Sequence, residues 1–556
     1  MTRRAGAAPS RTIAAVLGGL LLLLSLGAWA LASPAGSTPD EDYHLVSAWC
    51  GQGLRDGLCE AGPDESVREV PRALVKSACF GFDSEESARC QAEESGPPGA
   101  TIVSDRGNFE GDYPPVNYFV SSLFAGPDLE RSVVTMRVVH ATLLTLVVAA
   151  IAVASPAGLR RGLLGGLVVT VVPMGMSLVP SVNPSGWAIV SSGALAVSVL
   201  GYLTVPRGPR RLVLGALAAV ALLLGAGARA DGALYGVVAV GVAVILTWHS
   251  GREHLRRLVY PGVLAVVAAI SFLSAGQSDA VSATPPGALT WDLLGELAVT
   301  VPDLWLGNFG TWGLGWVDTA MPPLVTAASW AVFGAALLAG LAGADRRRGL
   351  ALAAVASGAL LVPTYIQYLS SFPVGFGVHP RYILPLLTLL AVTALVRLDG
   401  AAFRVTSGQR WVVVVLLSLA NAAALHATIR RYVTGDDVSA ADLDAAREWW
   451  WSFGPQPQTV WVLGALAFAS GLALLSPALT TPAPAAVRPA RSGSTDDRPA
   501  PGSGAGGHLP EQRDQPEVPA AGGGRPRPDA VTRAGRPTSP VRTRPPSVPP
   551  RTPTEP

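Results

Sequence analysis

Three carboxylates and an imidazole fall within five residues in Pro39-Asp40-Glu41-Asp42-Tyr43-His44, directly after the first long apolar run of the chain. Clustered carboxylates of this kind either bind a divalent cation or act as a general base toward a hydroxyl. Other acidic pairs, such as Asp64-Glu65 and Glu85-Glu86, read as solvated turns. The first cluster differs in lying a few residues from an apolar helix, where a water-borne and a lipid-borne reactant can meet. Asp40 and Glu41 are therefore the expected bases. Together with His44 they are also the candidate ligands of a Mg²⁺ or Mn²⁺ ion, and His44 is alternatively a hydrogen-bonding partner for a phosphate.

Further polar groups sit in turns between apolar runs: Tyr113-Pro114-Pro115-Val116-Asn117-Tyr118, Asn183-Pro184-Ser185, Arg229-Ala230-Asp231, Gly315-Trp316-Val317-Asp318 and His379-Pro380-Arg381-Tyr382. Arg229 and Arg381 stand at the ends of such runs, suited to pair with a phosphate at headgroup depth. The plainer alternative is an interfacial anchor, and for Arg229 a local pair with Asp231. Tyr118, Asn183, Asp231, Asp318 and Tyr382 complete the candidate substrate- and phosphate-binding set. Trp305, Trp312, Trp316 and the run Trp449-Trp450-Trp451 are positioned either to stack on sugar rings or, the commoner use, to form an aromatic belt at the membrane interface.

These residues are carried by a chain of 556 residues that is only 14% charged and 49% hydrophobic, which excludes a soluble globular domain. Basic and acidic residues nearly balance at +2, and the basic ones are almost all Arg, in short clusters between apolar runs. That distribution excludes a nucleic-acid surface. A membrane-crossing helix needs about 20 apolar residues. Such runs lie near 12–32, 133–154, 162–180, 186–205, 212–228, 233–249, 257–275, 325–343, 349–369, 382–397, 411–429 and 458–476. The expected architecture is all-α and polytopic, with about twelve transmembrane helices spanning 12–476.

With residues 1–11 cytoplasmic, the clusters Arg160/Arg161, Arg207/Arg210/Arg211, Arg252/Arg256/Arg257, Arg346/Arg347/Arg348 and Arg397/Arg404/Arg410 all fall inside, as Lys/Arg bias requires. The polar turns named above then share the extracytoplasmic face of the plasma membrane, within a large first loop at 33–132, a second at 276–324 and shorter connections. All four cysteines, Cys50, Cys59, Cys79 and Cys90, lie in the first loop. Two disulfides in an oxidising compartment are expected, with three pairings open. A zinc site is the weaker reading, because the spacings are not paired CxxC units. Residues 1–33 also carry features of a signal peptide, including Ala30-Leu31-Ala32 before Ser33. A retained helix is preferred, since its apolar run is long and holds the acidic cluster at the surface. From 477 to 556 the chain is rich in Pro, Gly, Ala and Arg, reading as a disordered cytoplasmic tail with both termini inside.

Several function classes are excluded. The chain has no HExxH, GxSxG or GxxxxGK[ST] motif and its cytoplasmic loops are too short for a nucleotide-binding domain. Few ionisable residues approach the middle of a span (Arg137, His140 and His426 come nearest), unlike ion-coupled transporters.

Taken in order, Pro39-Asp40-Glu41 with His44, Tyr113-Pro114-Pro115, Arg229-Ala230-Asp231, Gly315-Trp316-Val317-Asp318-Thr319 with Pro322, and Arg381-Tyr382 leading into Leu384-Pro385 resemble the bacterial membrane proteins of domain of unknown function 2142. That family looks like GT-C type glycosyltransferases, and the resemblance covers about 12–476. The chain departs from the pattern at His379-Pro380, where Gln-Gly is common, and at Ser185, where Asp is frequent. The resemblance implies an acidic residue of the first outer loop acting on a polyprenyl-phosphate sugar donor, often with a divalent metal. The expected function is sugar transfer to an envelope glycan or lipid acceptor, with Asp40 or Glu41 as base and Arg229 and Arg381 at the leaving phosphate. The alternatives are a lipid-linked glycan transporter and a non-catalytic scaffold for envelope assembly.

Overall fold

The computed structural model describes residues 8–276, 290–370, 378–399, 404–479 and 481–482. The expected disordered tail lies outside the described residues except for its first few positions, as do residues 1–7.

Helix α1 (Ala8–Leu31) leads into a head built from the first large loop. The head contains α2 (Glu41–Trp49), strands β1 (Glu60–Ala61) and β2 (Arg68–Pro71), the short helices α3 (Arg72–Val75) and α4 (Cys90–Glu94), strand β3 (Thr101–Ser104) and α5 (Val116–Ser122). The strands form an antiparallel sheet in the order β1-β2-β3, with Val70 opposite Ile102. So small a sheet cannot bury a core alone. Its inward Val70 joins Leu74, Leu45, Val46 and Trp49, and this cluster continues into Val133, Met136 and Val182 of the membrane bundle. Head and bundle therefore share one core. The cysteines pair as Cys50–Cys59 and Cys79–Cys90, each between neighbours in sequence.

Ten helices among the described residues are long and apolar enough to cross a membrane. After α1 come α6 (Leu129–Ala154), α9 (Ser185–Thr204), α10 (Pro209–Ala226), α11 (Ala230–Thr247) and α12 (Arg252–Arg257) running into α13 (Val259–Leu273). The set is completed by α15 (Pro323–Leu341), α16 (Arg346–Ser370), α18 (Ser407–Val433) and α19 (Pro457–Leu479). Leu146, Val153, Leu212, Val259, Ile270, Leu338, Leu361 and Leu466 on these helices are exposed, an apolar belt that only a bilayer tolerates at this extent. Helix α9 is buried nearly all round and forms the centre.

The other two apolar runs become shorter helices. In the run at 162–180, α7 (Ala157–Thr170) stops before Pro173 and a five-residue α8 (Met174–Leu178) follows. Pro173 lacks the N–H that a continuous helix would need. The run at 382–397 is α17 (Pro380–Leu395), 16 residues long and almost wholly enclosed by the bundle. Helices α7 and α17 lie against each other. A Cβ on Gly162 would come within 2.7 Å of Val396 Cα, and one on Gly166 within 2.7 Å of the Val392 backbone nitrogen. Small residues of this kind let membrane helices approach at backbone distance. Gly165, by contrast, would meet only the Leu395 side chain at 3.1 Å. Replacing an interior helical glycine by alanine ordinarily gains about 0.5–1 kcal/mol. Gly166→Ala is expected to lose about 1–3 kcal/mol instead, because backbone cannot step aside. Gly165→Ala should be near neutral, and thermal melting of the two variants in detergent checks the contrast.

One end of the bundle is closed by arginines on helix carbonyls: Arg210 donates to Ala154 O at 2.5 Å, Arg257 to Leu203 O at 3.4 Å and Arg348 to Val396 O at 2.8 Å. These are the last turns of α6, α9 and α17, where unsatisfied carbonyls favour a cation. The opposite end carries the head. There α14 (Trp291–Gly307) leads to a turn closed by a bridge between Leu314 and Thr319, and Trp316 in that turn donates to Gly36 O at 2.8 Å.

Candidate functional site

The site forms where α2 starts. Asp40 occupies the cap position of α2 in the left-handed region, with φ of 61°, and does not bond the helix's first N–H groups. Aspartate is one of the few non-glycine residues that visit this region readily. The conformation is held from behind by Asn183, whose Nδ2 donates to Pro39 O at 2.8 Å while its Oδ1 accepts from Ser185 N at 2.9 Å. The Asp40 carboxylate, freed from capping, turns to Arg381, whose Nη2 donates to Oδ2 at 2.7 Å. Arg106 Nη2 stands 3.5 Å from Oδ1. The Asp40 side chain is 40% exposed while that of Arg381 is only 3% exposed, so the carboxylate faces outward over a buried cation. Burial pushes the Asp40 carboxyl up, but the charged surroundings, Arg381 first among them and Arg106 contributing, outweigh it and leave the group below the usual carboxylate range.

Glu41, one residue on, has a different fate. Its side chain is fully buried, and Arg137 Nη2 reaches both of its oxygens, at 3.1 and 3.2 Å. Thr38 N and Val182 N donate to it as well, at 3.1 and 3.3 Å. Arg137 also takes the carbonyls of Ala30, Ser33 and Pro34. This pair therefore gathers the exit of α1, the start of the head and the end of α8 around one buried ion pair. Of the two expected bases, only Asp40 is open to a substrate.

Around Asp40 lies a wall of rings. His44 Nδ1 is 2.8 Å from Tyr118 Oη, and the imidazole meets Tyr43 and Tyr113 edge-on at 5.6 and 5.3 Å. Burial above all pushes His44 down to about 3; the Asp40 carboxylate pulls the other way, and the neighbouring arginines reinforce burial. His379 falls to about 3 for the same leading reason, burial, with Arg381 adding to it. Both imidazoles are thus neutral hydrogen-bonding groups at physiological pH. Burial likewise raises the phenols of Tyr43, Tyr113 and Tyr118, keeping them protonated donors.

Arg229, beside the wall, is already paired: Nε and Nη2 donate to the two oxygens of Asp231 at 2.8 and 3.0 Å. Its guanidinium lies 4.7 Å from the ring centre of Tyr382 and 5.6 Å from that of Tyr113. Arg381 is less satisfied. It uses Nη2 toward Asp40 and toward Tyr382 Oη, 3.1 Å away, and its buried Nε has no partner among the described residues.

The expected set therefore divides. Asp40, His44, Tyr118, Arg229, Asp231, Arg381 and Tyr382 converge, and Asn183 supports them from the next turn. Asp318 belongs elsewhere: it accepts from Arg431 Nη2 at 2.9 Å, and Arg431 binds the carbonyls of Phe80, Asp83 and Glu86, fastening the head to α18. The candidate metal ligands do not converge either. Asp40, Glu41 and His44 turn to Arg381, Arg137 and Tyr118, and among the described residues no three His, Cys, Asp or Glu side chains gather as an ion site. The donor set does not fit the expected Mg²⁺ or Mn²⁺.

Arg106 joins the site without standing out in the sequence, and Tyr113 joins it from the motif Tyr113-Pro114-Pro115. Arg106 is one loop arginine among many, and its role follows only from the fold, which bonds it to both carboxylate oxygens of Asp42 and places it beside Asp40.

No curated protein and no solved structure matches the chain. A family model described as predicted membrane protein (DUF2142) matches residues 23–390, and the chain belongs to that family.

Proposed function

We propose that this member of the DUF2142 family is a GT-C type glycosyltransferase that moves a sugar from a polyprenyl-phosphate donor to an envelope glycan or lipid acceptor. The observation that carries the reading is the Asp40–Arg381 pair: an outward, ionised carboxylate over a buried guanidinium. A guanidinium held at this place is suited to take a phosphate oxygen as a further acceptor.

In the reaction, the acceptor hydroxyl gives its proton to Asp40 as its oxygen attacks the anomeric carbon. The bond from that carbon to the donor phosphate breaks, and the phosphate leaves with the electron pair. A sugar hydroxyl does not ionise near neutral pH, so proton removal must accompany attack. Arg381 neutralises the charge that grows on the phosphate, releasing part of its hold on Asp40 as it does so. Arg229, already paired with Asp231, acts as a fixed post that holds the rings of Tyr382 and Tyr113. The arginines at the far end of the bundle support placing this site on the extracytoplasmic face of the plasma membrane with both termini inside. A donor that arrives through the membrane suits that face.

The test compares envelope glycans and polyprenyl-phosphate sugars in a strain lacking the protein, complemented with the native chain or with Arg381→Ala. The expected result is loss of one glycan and accumulation of its donor lipid, corrected only by the native chain. Accumulation of a finished lipid-linked glycan on the inner leaflet would assign the protein to transport instead. Full correction by Arg381→Ala would remove Arg381 from the reaction.

A further inference from the structure

A cleft of about 490 Å³ opens in the head beside the Arg106–Asp42 pair, between the loop that follows α3 and the turn that carries Trp316. Its size lies within the range of small-ligand sites, about 300–1,000 Å³. One wall is aromatic. Phe82 is 76% exposed and meets Trp316 edge-on at 5.3 Å, presenting ring surface to the opening. The remaining wall carries two ion pairs, Arg106 with Asp42 and Lys76, the only lysine of the chain, with Glu94 at 3.8 Å.

Two features mark this cleft as built for a ligand. The first is Phe82, held at φ of 67°. Bulky and β-branched residues avoid this region, and such strain persists where function retains it. Phe82 gains no burial in return, since it is exposed. The second feature is charge. Two cations and two anions line the cleft and cancel, so it does not select an anion. Paired ionic groups around an aromatic face suit a neutral, polyhydroxylated molecule, which offers C–H faces to the rings and hydroxyls to the charged atoms.

We infer that this cleft binds neutral carbohydrate, namely the sugars of the acceptor glycan that adjoin the reacting hydroxyl. Arg106 links the two places, lining the cleft with Asp42, to which it is bonded, and standing 3.5 Å from Asp40. The inference rests on the transferase reading for the word acceptor; binding itself does not depend on it.

The experiment uses the full-length protein in nanodiscs and ligand-observed NMR with neutral tetrasaccharides of mannose, glucose, galactose and arabinose, and with tetragalacturonate as the acidic probe. At least one neutral probe is expected to bind, with affinity about tenfold weaker in Phe82→Gly and in Lys76→Ala. Glycine adopts the conformation of Phe82 without strain, so Phe82→Gly should melt no earlier than the native chain. Asp40→Asn should bind the probe normally while losing transfer. If no neutral probe binds, if tetragalacturonate alone binds, or if Phe82→Gly binds as well as the native chain, the inference is overturned. A normal binding result with full transfer by Asp40→Asn would instead overturn the reading of Asp40 and leave the cleft assignment standing.

Discussion

Asp40→Asn is expected to lower sugar transfer by about 10²–10⁴-fold, the range a positioned general base contributes, while the protein folds and inserts as before. The substitution is unusually clean at this position. Asparagine tolerates the left-handed backbone that Asp40 adopts at φ of 61°, and its amide oxygen can still accept from Arg381. Only the charge and the proton-accepting capacity are removed. Alanine would add backbone strain and confuse the outcome. The native pH profile provides a companion readout. The charged surroundings, Arg381 first among them, outweigh burial and hold Asp40 below the usual carboxylate range, so the base is ionised above that depressed value and is lost only as pH falls through it. His44 and His379 stay neutral down to about 3, so no step is expected near 6.5, where a free imidazole titrates. Undiminished transfer by Asp40→Asn, measured with membranes and donor lipid, would reduce the acidic cluster to a surface turn.

Glu41→Gln, one residue away, is expected to act on stability. Arg137 would be left as an uncompensated buried charge, and breaking one half of such a pair costs about 3–5 kcal/mol. Arg137 sits with its side chain 1% exposed and organises the carbonyls of Ala30, Ser33 and Pro34 as well as Glu41. Loss of the pair should therefore loosen the junction of α1, the head and α8 together. The expected observation is a large fall in melting temperature and in the yield of monodisperse protein in detergent. Combining Glu41→Gln with Arg137→Met should recover part of the loss, because the second change removes the stranded charge. Were Glu41→Gln to keep native stability and lose transfer, the roles of Glu41 and Asp40 would have to be exchanged.

Much of the architecture is legible in the order of residues because the bilayer imposes a one-dimensional rule. Apolar runs long enough to span stand out without knowledge of packing, and the ten long helices fall on ten of those runs. The grouping of four cysteines in one loop announces disulfides, though not their pairing. The polar turns that build the site are also visible, because alternate ends of successive helices must share a face. Even the shortfall at 162–180 is written locally, in Pro173.

What the linear pattern cannot express is where a side chain turns once several segments meet. Asp40 and Glu41 are chemically alike and adjacent, and only the fold sends one to the surface over Arg381 and buries the other against Arg137 from α6. Arg229 and Arg381 both stand at helix starts; the local pair of Arg229 with Asp231 is legible in the sequence, whereas Asp40, the partner of Arg381, is brought to it only by the fold. Asp318 is drawn away by Arg431, more than a hundred residues later in the chain. Composition and hydrophobic period thus determine the membrane bundle, the head and the level of the site, since each depends on local transfer free energy. The tertiary structure alone decides which of the two adjacent carboxylates is exposed and which is buried, since Arg381 and Arg137, the partners that draw them apart, are distant in sequence.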